Sequence, residues 1–251
     1  MSAVVLSAEN LSKRFGALRV VDDVSFSLHH GRLVALIGPN GAGKTSLMNV
    51  LSGVLRPDSG RVLFDGVDVT TSDLAERSRA GLARTFQIAT ILPESTVLAN
   101  VALAIQAKCG SSFRFFAAAA REERLNEPAR AALERVNLAD RAALRAGALA
   151  HGEKRRLELA IALAMRPRVL LLDEPFAGLG PEETAESVAL VGALARDHAI
   201  LLVEHDMDAV FALADEIGVL DRGRLIAWGS PEAVRANSSV RAAYLGEAAP
   251  C

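Results

Sequence analysis

Residues 38–45 read Gly38-Pro39-Asn40-Gly41-Ala42-Gly43-Lys44-Thr45, and this stretch decides the fold of the chain. It fits the phosphate-binding pattern G-x-x-x-x-G-K-[ST]. The apolar segment Arg32–Ile37 before it is typical of a short strand. Ser46–Leu55 after it has apolar residues at steps of three and four, which indicates a helix. A glycine-rich loop between a strand and a helix predicts an α/β fold.

The residue types of this loop match the chemistry of binding a nucleoside triphosphate. Glycines let consecutive backbone N–H groups close on phosphates, and the next helix directs its positive end at the same anion. Lys44 adds a point charge for the β- and γ-phosphates, and the Thr45 hydroxyl can hold Mg²⁺. We therefore expect Gly38–Thr45 to bind ATP with Mg²⁺. A chance glycine-rich turn is the alternative, which the strand–loop–helix context disfavours.

An acidic pair, Asp173-Glu174, follows the continuously apolar segment Val169–Leu172. Such a segment is typical of a parallel strand buried on both faces. A carboxylate at its carboxyl end can hold Mg²⁺ directly or through water, a role we assign to Asp173, while Glu174 can polarise the attacking water. A merely solvated acidic pair is the alternative. Beside the loop 38–45, the catalytic interpretation is favoured.

The overall composition disfavours nucleic acid as a partner and a bilayer-spanning role. Net charge is -2 and aromatic residues make up only 4%, so neither a basic surplus nor base-stacking surfaces are indicated. The two cysteines, Cys109 and Cys251, have no metal-ligand spacing, which favours a reducing cytoplasm. No apolar run approaches the roughly 20 residues needed to cross a bilayer. We expect any membrane role to be peripheral.

The pattern along the chain indicates a helical insertion in an α/β core. Val4–Leu6 and Val24–Leu28 have strand patterns, whereas from about Asp73 to Leu149 almost nothing looks like a strand. Within this middle third, Phe115–Val136 is predicted as an amphipathic helix. The expected bounds are 1–229 for the ATP-binding domain, 1–87 and 160–229 for its core and β subdomain, 88–159 for the helical subdomain, and 230–251 for a helical tail.

Two further predictions concern a helix and the histidines. Lys154–Met165 has Leu157, Ile161 and Met165 on one stripe, which predicts a helix stopped by Pro167. Residues His29, His30 and His198 flank predicted turns, and we expect them to be ordinary surface residues.

Several motifs in order resemble the ATP-binding subunits of ABC transporters, over nearly the whole chain. The resemblance implies an ABC-type P-loop NTPase core with an N-terminal antiparallel β subdomain and an inserted helical subdomain. It implies that Phe15 stacks on adenine and that His205 contacts the γ-phosphate. Gln87, in Ala83-Arg84-Thr85-Phe86-Gln87, is similar to the family glutamine that senses Mg²⁺ and water. A core phenylalanine at 15 and a structural histidine at 205 are the alternatives.

The segment Leu149–Glu153 stands at the family's signature position, and this chain departs from the usual pattern there. Ala150 replaces the serine and His151 replaces the first glycine, while Gly152 is retained. The resemblance implies that Gly152 approaches, in trans, the nucleotide held by a second subunit. Gly180 stands where the family usually has Asp or Asn. The resemblance therefore implies that the inter-subunit contacts at positions 150 and 180 are both weaker than usual.

The C-terminal region is the most specific part of the resemblance. Arg235-Ala236-Asn237 and Val240–Glu247 are similar to the end of ATPases that serve branched-chain amino acid importers, and Leu92–Val97 also resembles theirs. A generic amphipathic tail packed on the core is the alternative.

The resemblance implies an ATP-hydrolysing motor subunit for import of branched-chain or other hydrophobic amino acids. The implied partners are integral membrane permease subunits, a second ATP-binding subunit in a homo- or heterodimer and, indirectly, a solute-binding protein, at the cytoplasmic face of the inner (plasma) membrane. Urea, short amides or lipid export stay open as substrates. The sequence is also compatible with a soluble ABC ATPase and with a nucleotide-gated module without turnover.

Overall fold

A computed structural model describes residues 3–85, 91–108, 123–238 and 240 of this chain. Its larger sheet has the strand order β10-β9-β3-β8-β7-β6. Strand β10 is antiparallel to β9, and the other neighbours are parallel. The strands of this sheet are β3 (Leu33–Ile37), β6 (Leu82–Arg84), β7 (Val169–Asp173), β8 (Ala199–Val203), β9 (Glu216–Asp221) and β10 (Arg224–Gly229). The predicted α/β class is confirmed.

Three of the four interior strands of this sheet are buried along their whole length. Every residue of β3, β7 and β8 is buried, as their continuous apolar sequences predict. Alternate side chains of β7 pack in two different hydrophobic clusters, with Leu170 in one and Leu171 in the other. The sheet is therefore a rigid platform for the loops at its carboxyl edge.

A second, antiparallel sheet forms the N-terminal subdomain that the resemblance implies. Its order is β2-β1-β4-β5. The strands are β1 (Val4–Phe15), β2 (Leu18–His29), β4 (Ser59–Phe64) and β5 (Val67–Asp68). The predicted strands Val4–Leu6 and Val24–Leu28 are too short because Asn10 and Asp23 interrupt the apolar alternation. Both residues have positive φ, of 48° and 56°, where the β1–β2 register shifts.

Eight α-helices lie in the described part of the chain. They are α1 (Lys44–Ser52), α2 (Leu74–Ala80), α3 (Val97–Lys108), α4 (Glu123–Arg135), α5 (His151–Ala164), α6 (Pro181–Leu194), α7 (Met207–Leu213) and α8 (Pro231–Ala236). None of the described helices is long and apolar enough to span a membrane.

Three predicted helices differ from the observed ones. The first is Ser46–Leu55, because α1 begins at Lys44 and ends before Gly53, which has a φ of 83°. Helix α5 begins at His151 rather than Lys154, because the Glu153 carboxylate accepts a hydrogen bond from the Ala150 N–H and starts the helix earlier. The predicted helix Phe115–Val136 corresponds to α4, and its residues 115–122 lie outside the described part.

The expectation of almost no strand between Asp73 and Leu149 is wrong at one place. Residues Leu82–Arg84 form the edge strand β6, paired in parallel with β7. Three residues are too few to show a strand periodicity in the sequence, so the pairing with β7 decides their conformation.

Helices α3, α4 and α5 pack on one another and form the helical subdomain. Four side chains within the predicted amphipathic helix are buried in the core of this subdomain, and they are Leu125, Ala129, Leu133 and Val136. Helix α5 crosses the expected boundary between residues 159 and 160 and joins this subdomain to the sheet. The domain bounds expected from the sequence stay a prediction.

The described part of the tail is capped and packed as its sequence suggests. The Ser230 hydroxyl accepts a hydrogen bond from the Ala233 N–H at 3.3 Å, with Pro231 as the first helical residue. Val234 and Val240 are buried in a cluster with β9. Residues 241–251, including Cys251, lie outside the described residues, as does Cys109.

The prediction that His198 lies on the surface is wrong. His198 is only 5% exposed, and its Nδ1 lies 2.9 Å from the Pro167 carbonyl oxygen, to which it donates. Its Nε2 faces the Arg135 guanidinium at 3.3 Å, and a guanidinium can only donate. The ring is therefore neutral, and burial lowers the pKa of His198 below 6.5.

Candidate ATP-binding and hydrolysis site

The loop 38–45 leaves β3 and enters α1, as its sequence predicts. A Cβ added to Gly38 would lie 2.1 Å from the Leu220 carbonyl oxygen, and one added to Gly43 would lie 2.1 Å from that of Val20. Gly43 also has a φ of 106°, which side chains disfavour. Glycine is therefore required here by the close approach of the chain's own backbone, and the loop is held against β2 and β9.

Lys44 lies inside the loop rather than in solvent. Its ammonium donates hydrogen bonds to the carbonyl oxygens of Gly38 at 2.6 Å and Pro39 at 3.1 Å. Burial lowers the pKa of Lys44, and the charges of Glu174 and Asp173 oppose that shift. The ammonium is thus held where the loop closes, within electrostatic range of both acidic residues. Thr45 follows in the first turn of α1 and is exposed.

Asp173, the last residue of β7, is buried, and only one of its two carboxylate oxygens has a hydrogen-bond partner among the described residues. Its Oδ2 accepts a hydrogen bond from Arg84 Nη2 at 2.9 Å. Its Oδ1 is buried and has no hydrogen-bond partner among the described residues. A buried carboxylate oxygen without a donor suits a hard cation, so the donor set of Asp173 and the Thr45 hydroxyl fits Mg²⁺. Gln87, the third predicted ligand, lies outside the described residues.

The side chains of Glu174 and His205 are in contact at the carboxyl ends of the neighbouring strands β7 and β8. Glu174 Oε1 lies 2.9 Å from His205 Nε2, although the sequence predicted these two residues separately. Glu174 has a φ of 50°, a conformation that costs roughly 1–3 kcal/mol in a non-glycine residue. Its N–H donates to the Val203 carbonyl oxygen at 2.8 Å, which holds that conformation and directs its carboxylate toward β8.

Sequence reasoning missed Glu204, which organises this pair. The Glu204 carboxylate is 3% exposed and accepts hydrogen bonds from the Phe176 N–H at 2.8 Å and the His205 N–H at 2.9 Å. It therefore ties the segment after Glu174 to the segment that carries His205. The signal available in the sequence was a carboxylate directly after the apolar strand β8.

The loop 38–45, the Asp173-Glu174 pair and His205 all follow the carboxyl ends of β3, β7 and β8, which are neighbours in the sheet. This edge is where open α/β sheets bind ligands. The predicted phosphate, metal and catalytic residues with described positions therefore lie at one edge.

Phe15 lies at the end of β1 with half of its surface exposed. The exposed fraction is 51%, and Lys13 Nζ lies 5.9 Å from the ring centroid. A core phenylalanine, the alternative interpretation, would be buried. An exposed ring is available to stack on a flat ligand.

The segment 149–153 lies at the start of α5, against the loop before α6. His151 Nε2 lies 3.3 Å from the Ala177 carbonyl oxygen. A Cβ on Gly152 would lie 2.7 Å from Glu183 Oε1, and Glu183 Oε2 accepts a hydrogen bond from the Gly180 N–H at 3.3 Å. Gly152 therefore lets the two segments that depart from the family pattern pack on each other within one chain.

The chain matches two family models and several known proteins. The family model described as "ABC transporter" matches residues 21–177, and the one described as "Branched-chain amino acid ATP-binding cassette transporter" matches residues 224–250. The chain is 40% identical to the high-affinity branched-chain amino acid transport ATP-binding protein BraF of Pseudomonas aeruginosa, covering 99% of this chain and 100% of that protein. It is also 40% identical to LivG of Escherichia coli (strain K12), a protein of the same description, with the same coverage.

A solved structure has the same architecture. The ADP conformation of MJ1267, an ATP-binding cassette of an ABC transporter, superposes with a TM-score of 0.85 at 33% identity. The match covers 98% of this chain and 100% of that one.

Proposed function

The chain belongs to the ATP-binding proteins of ABC transporters, which are ATPases coupled to transport, and we propose that it drives import of branched-chain or other hydrophobic amino acids. The observation that carries the catalytic part is the pairing of Glu174 with His205 at the sheet edge that holds the loop 38–45. A carboxylate and an imidazole at the carboxyl ends of adjacent strands place a base beside a phosphate site.

In the proposed site, different residues of the chain bind the phosphates, the adenine and the metal ion of ATP·Mg²⁺. Backbone N–H groups of Gly38–Thr45 and the Lys44 ammonium bind the phosphates, and Phe15 stacks on adenine. Thr45 and Asp173 would hold Mg²⁺, which would supply positive charge to the phosphates. Gln87 is assigned to the same ion by the resemblance.

We assign the chemical step to Glu174. Its carboxylate accepts a hydrogen bond from the attacking water and polarises it toward the γ-phosphate. His205 is hydrogen-bonded to that carboxylate and is therefore suited to orient Glu174. A contact between His205 and the γ-phosphate is assigned by the resemblance. The Glu204 carboxylate accepts a hydrogen bond from the His205 N–H, which fixes the backbone from which the imidazole reaches Glu174.

The proposal requires a second ATP-binding subunit. Gly152 lies in the first turn of α5, at the family's signature position, and the resemblance assigns it a role toward the nucleotide of a partner copy or a related chain. With Ala at 150, the contribution of this segment is backbone N–H groups and the helix dipole, the latter worth roughly 0.3–1 kcal/mol.

The tail and the relatives support the substrate class. Residues 224–250 match a family described by branched-chain amino acids, and two relatives of that description match over nearly the full chain. We infer that integral permease subunits and, indirectly, a solute-binding protein recognise the amino acid, with this chain bound peripherally on the cytoplasmic face of the inner membrane.

Affinity capture of the full chain from solubilised membranes tests this proposal. We expect co-purification of integral membrane subunits and ATP hydrolysis by the captured complex. The Lys44→Ala variant should capture the same subunits but lose ATP binding, because the loop loses its cation. Capture of no membrane protein would contradict the transport role, and retained ATP binding in Lys44→Ala would contradict the assignment of the loop.

A further inference from the structure

Arg84 is a buried cation in direct contact with the proposed metal ligand. It is the last residue of β6, and its side chain is 4% exposed, against 2% for that of Asp173. Its Nη2 donates to Asp173 Oδ2 at 2.9 Å, and its Nη1 donates to Asn49 Oδ1 at 2.6 Å and Ser52 Oγ at 3.2 Å. One guanidinium therefore connects β6, β7 and α1.

We propose that Arg84 is a positioning residue for Asp173, which fixes this carboxylate for Mg²⁺ by occupying Oδ2 and leaving Oδ1 for the ion. This inference rests on the proposed function, since it deepens the role of the same ATP·Mg²⁺ site. The distribution of partners supports it: the guanidinium satisfies one oxygen, while the other is buried with no partner among the described residues.

The second anchor of Arg84 lies on the helix that carries the phosphate loop. Asn49 and Ser52 are three residues apart on α1 and therefore share one face of that helix. Lys44 and Thr45 form the first turn of the same helix. Arg84 thus sets the Asp173 carboxylate relative to α1, and so relative to the Thr45 hydroxyl that would share the ion.

The buried Arg84–Asp173 ion pair is poorly explained by a contribution to folding stability alone. Burying an ion pair has a large desolvation cost, and well-packed apolar residues often serve a fold equally well. A planar guanidinium with donors on two nitrogens offers what apolar residues lack, which is a fixed geometry between two hydrogen-bonding groups. That geometry is useful where a carboxylate has to meet a metal, because the outer partners of a ligand orient it.

The test compares ATP binding with Mg²⁺ and with EDTA in the full chain, measured by calorimetry. In the parent chain, Mg²⁺ should strengthen ATP binding. In Arg84→Met, we expect this enhancement to fall by about 10–100-fold, the range for loss of a ligand's outer partner. Affinity in EDTA should stay within about twofold of the parent, because the loop 38–45 is untouched.

Two further variants keep the proposal falsifiable if Arg84→Met does not fold. Arg84→Lys keeps a charge near Asp173 but has no fork to bridge Asp173 and Asn49. Asn49→Ala keeps the ion pair but removes the shorter of the two hydrogen bonds from Arg84 to α1. Both should lose part of the Mg²⁺ enhancement. Arg32→Met is the matched control, because it removes the Arg32–Asp215 ion pair, which is far more exposed. It should keep the full enhancement.

The outcomes separate the two proposals. An unchanged Mg²⁺ enhancement in folded Arg84→Met, or in both Arg84→Lys and Asn49→Ala, would overturn the role of Arg84. Equal losses with Mg²⁺ and with EDTA would also overturn it, since they indicate a general structural role. A parent chain that binds ATP without any Mg²⁺ enhancement would instead contradict the proposed site itself.

Discussion

Replacing Gly152 with alanine should leave the stability of this chain nearly unchanged but reduce ATP hydrolysis in the assembled transporter. The added Cβ would lie 2.7 Å from Glu183 Oε1, so the Glu183 side chain has to turn aside. Its 3.3 Å hydrogen bond from the Gly180 N–H is then lost, at a cost of about 1 kcal/mol. Alanine gains roughly 0.5–1 kcal/mol over glycine in a helix. The two effects cancel, and the free energy of unfolding should change by less than about 1 kcal/mol.

The displaced Glu183 should nevertheless disturb the loop that it holds, including Gly180. A displacement of about 1 Å in groups that position a substrate can lower turnover about 100-fold. We therefore expect near-normal urea unfolding and ATP binding by the Gly152→Ala chain, but strongly reduced hydrolysis in the assembled transporter. Gly192→Ala, within α6, is the control, because its Cβ meets only the flexible end of Leu213 at 3.2 Å. Normal turnover in Gly152→Ala would show that the contact between Gly152 and Glu183 does not affect hydrolysis.

Two more predictions concern stability. Arg77 is 1% exposed and donates to the carbonyl oxygens of Val50, Leu51, Thr70 and Ser72, so Arg77→Met should lower the free energy of unfolding by at least about 3 kcal/mol. A loss below about 1 kcal/mol in urea unfolding would contradict this role. Because the pKa of His198 lies below 6.5, only the unfolded chain takes up this proton just below that pH, so stability should fall as pH decreases through 6.5. Unfolding measured from pH 7.5 to 5.5 should show a smaller decline in His198→Leu, and an equal decline would exclude His198 as its source.

The parts of the site that the sequence predicted are those encoded by contiguous residues. The loop 38–45 needs its glycines and lysine at fixed spacing, and β7 needs a continuous apolar run before Asp173. Each of these patterns is local, so a single stretch of sequence was enough to predict it. The family resemblance then supplied roles for Phe15 and His205 that their immediate neighbours in the sequence could not indicate.

The parts that the sequence did not predict depend on which strands become neighbours. Arg84 meets Asp173 only because β6 pairs with β7, and β6 is too short to show a strand pattern. Glu174 meets His205 because β7 and β8 pair in parallel. His198 looked like a turn residue, yet its ring is buried between Pro167 and Arg135, a contact that no local pattern contains.

Glu174 at this sheet edge is proposed to promote hydrolysis of ATP bound by the loop 38–45. Release of phosphate by the parent chain and by Glu174→Gln, each in the complex captured from membranes, tests it most directly. A general base contributes about 10²–10⁴-fold, so the variant should bind ATP as tightly as the parent and hydrolyse it at least about 100 times more slowly. Phosphate release by Glu174→Gln at the parent rate would contradict the account.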